Sequence, residues 1–191
     1  VGSEMCIRDS LWTILKNTAC PIVLITEDTV SDWVLKDHPL HPAYKFLSST
    51  HKADYLRCYL MHHYGGGYTD IKKTSVKWGE YFNLLNTSVD RLALGYPEIS
   101  NGIPHITGEF GDQIRAVHKE LIGLCSFIFK PNTVITQNWL NSANTLLDQK
   151  YALLEQSPGK FALDQTGIIL PSGEPSTYPL RWAELLGEIL H

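Results

Sequence analysis

The chain has 191 residues, of which 43% are hydrophobic and 19% charged, so it can bury the core of one ordinary domain and wholesale disorder is excluded. Sixteen Lys and Arg residues against 20 Asp and Glu residues give a net charge of −4, which excludes a broad cationic surface for nucleic acid. The longest nearly continuous apolar run, 121–129, is too short for a transmembrane segment, which needs about 20 residues.

The two ends of the chain are unusual for a complete domain. Residues 1–10 fit no strand or helix pattern and resemble translated sequencing-adapter sequence, so we interpret them as a non-native leader and exclude them from the fold. The chain ends at His191 without a helix stop signal. We therefore expect a fragment that is truncated at both ends.

The first half of the chain alternates between strand and helix patterns. A short apolar run with β-branched residues at 22–26 predicts a buried strand. Apolar residues then recur every three or four positions, which predicts a helix from Ser49 or Thr50 to Tyr64. The glycines at 65–67 predict a turn, and residues 68–71 predict the next strand.

The second half continues this alternation. Residues 92–96 and 124–129 predict two strands, and 97–111 lacks periodicity, which predicts a long surface loop. An amphipathic pattern over 135–154 predicts a long helix, and 182–190 predicts a last helical piece. Strands that alternate with helices favour a single α/β domain with a mostly parallel central sheet flanked by helices.

The residues that most clearly suggest a chemical function lie between positions 54 and 73. Asp54 and Arg57 are three residues apart, which places them on one helix face. Asp70 lies near the carboxyl end of the following strand, where open α/β sheets bind ligands, and Lys72 and Lys73 follow it. Carboxylates accept hydrogen bonds from sugar hydroxyls, and cations stabilise a diphosphate leaving group. The set therefore suits a nucleotide diphosphate-sugar.

The order Asp-x-x-Arg, Gly-Gly-x-Tyr and then Asp-Ile-Lys resembles the sugar-binding DXD region of GT-A-type glycosyltransferases. It looks most like the capsular-polysaccharide and yeast-type initiating mannosyltransferase relatives, which also resemble the catalytic domains of glucosylating toxins. The segments 128–133 and 178–182 are similar to that group as well. The resemblance covers roughly residues 20–191 and is strongest over 50–75.

The resemblance implies a GT-A-like domain over 11–191 that moves a sugar from a nucleotide diphosphate-sugar to a carbohydrate acceptor, with retention of configuration. It implies a role in polysaccharide or capsule biosynthesis, in the cytoplasm or at the periphery of a membrane. By the same resemblance, the catalytic residues are Asp54, Arg57 and Asp70. Together with these three, the donor-binding residues are Tyr68, Lys72, Lys73 and Trp182.

One position departs from the family pattern. The second DXD carboxylate of the family binds Mn²⁺ or Mg²⁺, but this chain has Lys72 there, and an ammonium group cannot coordinate a metal. The resemblance leaves Asp70 as a metal ligand, with His191 as the counterpart of a late histidine of the family. We expect Lys72, with Lys73, to neutralise part of the diphosphate charge instead.

Two other interpretations stay open. The chain could be a catalytically decayed nucleotide-sugar-binding relative, because a lost metal ligand is also what decay produces. It could also be a non-enzymatic interaction domain in which Asp54 and Arg57 form only a surface ion pair. A phosphate-binding loop over 67–74 is excluded, because that motif needs glycine before its lysine and the order strand, glycines, helix.

Overall fold

The computed structural model describes residues 4–103 and 106–191 and combines helices with a small sheet, which places it in the mixed α/β class. The strands are β1 (Gly66–Thr69), β2 (Ala93–Pro97) and β3 (Ile122–Phe129). The α-helices are α1 (Glu4–Asn17), α2 (Ser49–His63), α3 (Trp78–Thr87), α4 (Glu109–Ala116), α5 (Val134–Gln156) and α6 (Gly187–Leu190). Among the described residues, no helix is long and apolar enough to cross a bilayer.

The sheet is antiparallel, not mostly parallel as predicted. β3 lies in the middle, and both β1 and β2 pair with it in antiparallel register. Tyr68 lies opposite Phe127, and Leu94 lies opposite Ile128. β1 and β2 run in the same direction, but β3 lies between them in the opposite direction. The alternation of strands and helices along the sequence does not specify which strands become neighbours.

The predicted strand at 22–26 is wrong. The residues form no strand, and Ile22, Val23 and Leu24 are 39%, 51% and 55% exposed. An apolar, β-branched run has the intrinsic preference for a strand, but a strand also needs a partner edge. In the described part of the chain, the pairing of the sheet involves only β1, β2 and β3.

Three further boundaries differ from the sequence prediction. Residues 4–10 of the expected leader form the first half of α1, where Ser10 is buried, and residues 1–3 lie outside the described ranges. The predicted loop 97–111 contains the start of α4, and its residues 104–105 also lie outside the described ranges. The last helix covers only Gly187–Leu190.

The sheet is packed on both faces. On one face, Phe127 and Phe129 contact Trp139 of α5, with ring centroids 6.1 and 5.9 Å apart, in a core that α2 also joins. On the other face, Trp78 of α3 packs against Ile128. Successive side chains of a strand point to opposite faces, so β3 holds the two layers together.

Substitution of Gly67 tests the packing of α3 against the sheet. A Cβ atom at Gly67 would overlap the indole ring of Trp78, whereas a Cβ atom at Gly79 of α3 would meet nothing within 4 Å. We expect Gly67→Ala to lower the free energy of unfolding by about 1–3 kcal/mol, as overpacking does. Gly79→Ala should raise it by up to about 1 kcal/mol, since alanine favours the helix. Urea denaturation measures both, and equal stability of the two variants would contradict the packing described.

Candidate functional site

The helix that carries Asp54 and Arg57 has well-defined ends. At its start, the Ser48 hydroxyl accepts a hydrogen bond from the backbone N–H of His51. At its end, Gly65 has a φ of +65°, and its N–H donates to the carbonyl of Leu60. A Cβ atom at Gly65 would lie 2.6 Å from Pro131 Cδ, so glycine is needed for both its conformation and its space. The chain then enters β1 directly.

Asp70 follows β1 and is fixed by its backbone. Its N–H donates to the carbonyl of Cys125 at 2.8 Å, which extends the β1–β3 pairing by one residue. The N–H of Lys72 donates to the carbonyl of Asp70 at 2.7 Å. This tight bend returns the side chain of Lys72 towards Asp70.

The guanidinium of Arg57 lies between the two carboxylates that the sequence singles out. Its Nη1 is 3.5 Å from Asp54 Oδ1, and its Nη2 is 3.6 Å from Asp70 Oδ1. The guanidinium also lies over the ring of Tyr68, 4.2 Å from the ring centroid, a cation–π arrangement. The structure therefore brings Asp54, Arg57 and Asp70 together at one place.

Asp70 joins this group to Lys72. The hydroxyl of Tyr68 donates to Asp70 Oδ1 at 2.7 Å, and Lys72 Nζ lies 2.8 Å from Asp70 Oδ2. Lys72 Nζ also donates to Cys125 Sγ at 3.0 Å. Asp54, Arg57, Tyr68, Asp70 and Lys72 are called the Arg57 cluster below. Asp54 is its most buried carboxylate, and Lys72, with 63% of its side chain exposed, is its edge towards solvent.

The two carboxylates of the Arg57 cluster differ in their pKa. Burial raises the pKa of Asp54 to about 6; Arg57 lowers it in part, and Asp70 adds to the rise. Burial also raises the pKa of Asp70, but the hydrogen bonds from Lys72 and Tyr68, with the charge of Arg57, outweigh burial and hold it below its ordinary value. The hydrogen bond to Asp70 raises the pKa of Lys72, so its ammonium group stays charged.

The Arg57 cluster does not fit a divalent cation. Both oxygens of Asp70 already accept hydrogen bonds, and two cationic side chains lie beside them. His191 donates from Nε2 to the carbonyl of Ile122, and its buried Nδ1 has no hydrogen-bond partner among the described residues. Across 4–103 and 106–191, no group of three or more His, Cys, Asp or Glu side chains is placed to hold a metal. In the described part of the chain, neither Asp70 nor His191 belongs to such a group.

Two other residues were expected to contact the sugar donor, Lys73 and Trp182. Lys73 is exposed, and Trp182 is 41% exposed. The segment with Trp182 is tied to the first turn of α2, because His51 donates from Nε2 to the carbonyl of Arg181 at 3.0 Å. Within the described ranges, no hydrogen bond, ion pair or ring contact joins either side chain to Asp54, Arg57 or Asp70.

Three residues next to the Arg57 cluster were not predicted. Cys125 contacts Lys72, and its N–H donates to the hydroxyl of Tyr96 at 3.4 Å. The buried carboxylate of Glu98 accepts from the N–H of Leu124 at 3.4 Å, and the carbonyl of Leu124 accepts from Arg57 at the same distance. Tyr96 and Glu98 lie where the predicted strand 92–96 ends, so the rule that ligands bind at the carboxyl ends of strands could have found them.

Comparisons of the chain with protein-family models, with curated proteins and with solved structures returned no match.

The pKa of Asp54 predicts a specific pH dependence. The pKa is raised from 3.8 to about 6 in the folded protein, so its contribution to stability is complete below the unfolded value and is lost as the pH rises through 6. Asp54→Asn removes this pH-dependent loss of stability, because asparagine does not ionise. We expect the free energy of unfolding of Asp54→Asn, relative to the unaltered protein, to rise by about 2–3 kcal/mol between pH 4 and pH 7.

Urea denaturation at four pH values in this range measures the difference. Asp112→Asn is the matched control, because Asp112 also pairs with an arginine three residues on, Arg115, but lies on the surface, where ion pairs contribute little. A stability difference for Asp54→Asn that does not vary with pH would contradict the predicted burial of this carboxylate.

Proposed function

We propose that the chain is a GT-A-like glycosyltransferase domain that transfers a sugar from a nucleotide diphosphate-sugar to a carbohydrate acceptor without a bound metal. Its place of action is the cytoplasm or the periphery of a membrane. The resemblance over residues 50–75 supports the family, and the convergence of Asp54, Arg57 and Asp70 at one guanidinium supports a donor site.

The lack of close hydrogen-bond acceptors around the guanidinium of Arg57 is the single observation that carries the proposal. Within 4–103 and 106–191, its polar contacts are all long, between 3.4 and 3.6 Å, and its buried Nε has no hydrogen-bond partner. A partly buried guanidinium without close acceptors is costly to maintain, and its planar fork suits phosphate and paired hydroxyl oxygens. A ligand with such oxygens would supply the close acceptors that the protein itself does not provide.

Each charged group of the Arg57 cluster has a role in the proposed reaction. The bond between the donor sugar and the diphosphate breaks, and its electron pair stays on the departing diphosphate oxygen. The acceptor hydroxyl bonds to the same sugar carbon and passes its proton to the diphosphate. Asp54 and Asp70 accept hydrogen bonds from hydroxyls of the sugar and ribose. Arg57 and Lys72 stabilise the negative charge that the diphosphate gains as it leaves. Retention of configuration follows from the resemblance alone.

A decayed, binding-only relative is the second candidate. Lys72 Nζ lies 2.8 Å from Asp70 Oδ2, so the lysine both replaces one expected metal ligand and occupies the other. A protein that had lost catalysis but still bound nucleotide-sugars would tolerate this ion pair. Transfer activity in the unaltered protein separates the two candidates, since only the enzyme forms product.

Binding by Arg57 is tested with two conservative variants. We expect UDP- or GDP-sugars to raise the melting temperature of the unaltered protein in buffer with EDTA, because a bound ligand stabilises the folded state. Arg57→Lys keeps the charge but loses the planar fork, so we expect at least about tenfold weaker binding. Arg115→Lys is the control, because Arg115 pairs with Asp112 at the same spacing on the surface. An unaltered protein that no nucleotide-sugar stabilises would favour an interaction domain.

The role of Lys72 is tested by transfer in the presence of EDTA. We expect product formation, measured by mass spectrometry, to be unchanged by EDTA in the unaltered protein. Lys72→Met should lower kcat/KM by about tenfold or more, because a charge at the leaving group is lost. Lys77→Met, at another exposed lysine after β1, should leave it unchanged. Loss of transfer on addition of EDTA would contradict a metal-free reaction.

A further inference from the structure

A cavity of about 410 Å³ lies between α3 and the sheet face that points away from the main core. Its floor is formed by β2 and β3, including Ser126 and Ile128, and its walls include Trp78, Tyr81, Leu84 and Tyr96. This volume falls within the range of cavities that enclose small organic ligands. The cavity is distinct from the Arg57 cluster and takes no part in the roles described above.

The cavity begins where the Arg57 cluster ends. Tyr96 lines the cavity, and its hydroxyl accepts from the N–H of Cys125, whose thiol is 3.0 Å from Lys72 Nζ. A ligand that reaches the Arg57 cluster at Lys72 can therefore extend into the cavity.

The residues that line the cavity limit which chemical groups can bind in it. The described residues around the cavity are aromatic, aliphatic, glycine, proline, serine or threonine, so none of them carries a charge. Leu84, Val76 and Tyr81 expose between 44% and 47% of their surfaces, and burial of this apolar surface would favour binding. A charged group would find no opposite charge in this lining to offset its lost hydration.

We propose that this cavity binds an uncharged alkyl or aryl group carried by the acceptor, which makes the acceptor an amphiphilic glycoside; the acceptor role rests on the proposed transferase function. The acceptor sugar lies at the Lys72 edge of the Arg57 cluster, and the apolar group fills the cavity beside Tyr96. The apolar group holds the reacting hydroxyl near the donor.

The binding test compares octyl β-D-glucoside, below its critical micelle concentration, with methyl β-D-glucoside by isothermal titration calorimetry. We expect saturable binding of the octyl glycoside and at least tenfold weaker binding of the methyl glycoside. Leu84→Glu places a charge on the cavity wall and should weaken octyl binding at least tenfold. Leu153→Glu, on α5 and similarly exposed at 53%, is the matched control and should leave octyl binding unchanged.

The outcomes separate this inference from the proposed function. Equal binding of the two glycosides, or equal effects of the two glutamate variants, would overturn the cavity assignment, and stabilisation by UDP- or GDP-sugars would then still support the transferase. Octyl binding without any stabilisation by a nucleotide-sugar would contradict the transferase and with it the acceptor role. A dimer of the unaltered protein that Leu84→Glu dissociates, seen by sedimentation, would show that a second copy covers the cavity and would also overturn the inference.

Discussion

The guanidinium of Arg57 is the group on which the organisation of the candidate site depends. It is mostly buried, so it needs acceptors, and the residues that the structure describes offer them only at long range. They are two carboxylates from different parts of the chain and one backbone carbonyl. The ring of Tyr68 covers its face. This arrangement holds the guanidinium in place but leaves it without close hydrogen-bond acceptors. Stability alone would favour closer ion pairing, so the loose coordination is the feature that a ligand explains best.

The antiparallel sheet is what brings the other groups to this cation. β1 and β2 lie on either side of β3 and point the same way, so their carboxyl ends reach the same part of β3, around Leu124 and Cys125. Asp70 arrives from β1, and Tyr96 and Glu98 arrive from β2. The rule that strand ends carry ligand sites is usually stated for parallel sheets. Here the same geometry results from two parallel strands separated by an antiparallel one.

Local patterns predicted the helices and strands near the site but not their arrangement. The periodicity over 49–64 and 135–154 predicted the extents of α2 and α5 closely. The buried face of α5 is mainly apolar, whereas that of α2 also contains His51, Asp54 and His62. The strand at 22–26 was wrong, since composition cannot supply a partner edge. The position of β3 between β1 and β2 depends on contacts between residues about 30 to 60 positions apart, which no local pattern encodes.

In the candidate site, too, some contacts followed from local sequence patterns and others did not. Asp54, Arg57 and Asp70 were found because their spacing links one helix face to one strand end. Cys125 was missed, because only the pairing with β3 brings it there. Tyr96 and Glu98 were missed because the strand-end rule was not applied to the predicted strand 92–96. The direct contact between Lys72 and Asp70 depends on the bend at Ile71, so the spacing of two positions did not predict it.

The unequal pKa values of Asp54 and Asp70 have a consequence for how the cluster responds to acid. When both carboxylates are ionised, they balance Arg57 and Lys72, and the four groups carry no net charge. Asp54 takes up a proton near pH 6 while Asp70 stays ionised, so mild acidification leaves an excess of one positive charge. The cluster thereby becomes more attractive to anions over the pH range in which many cellular compartments differ.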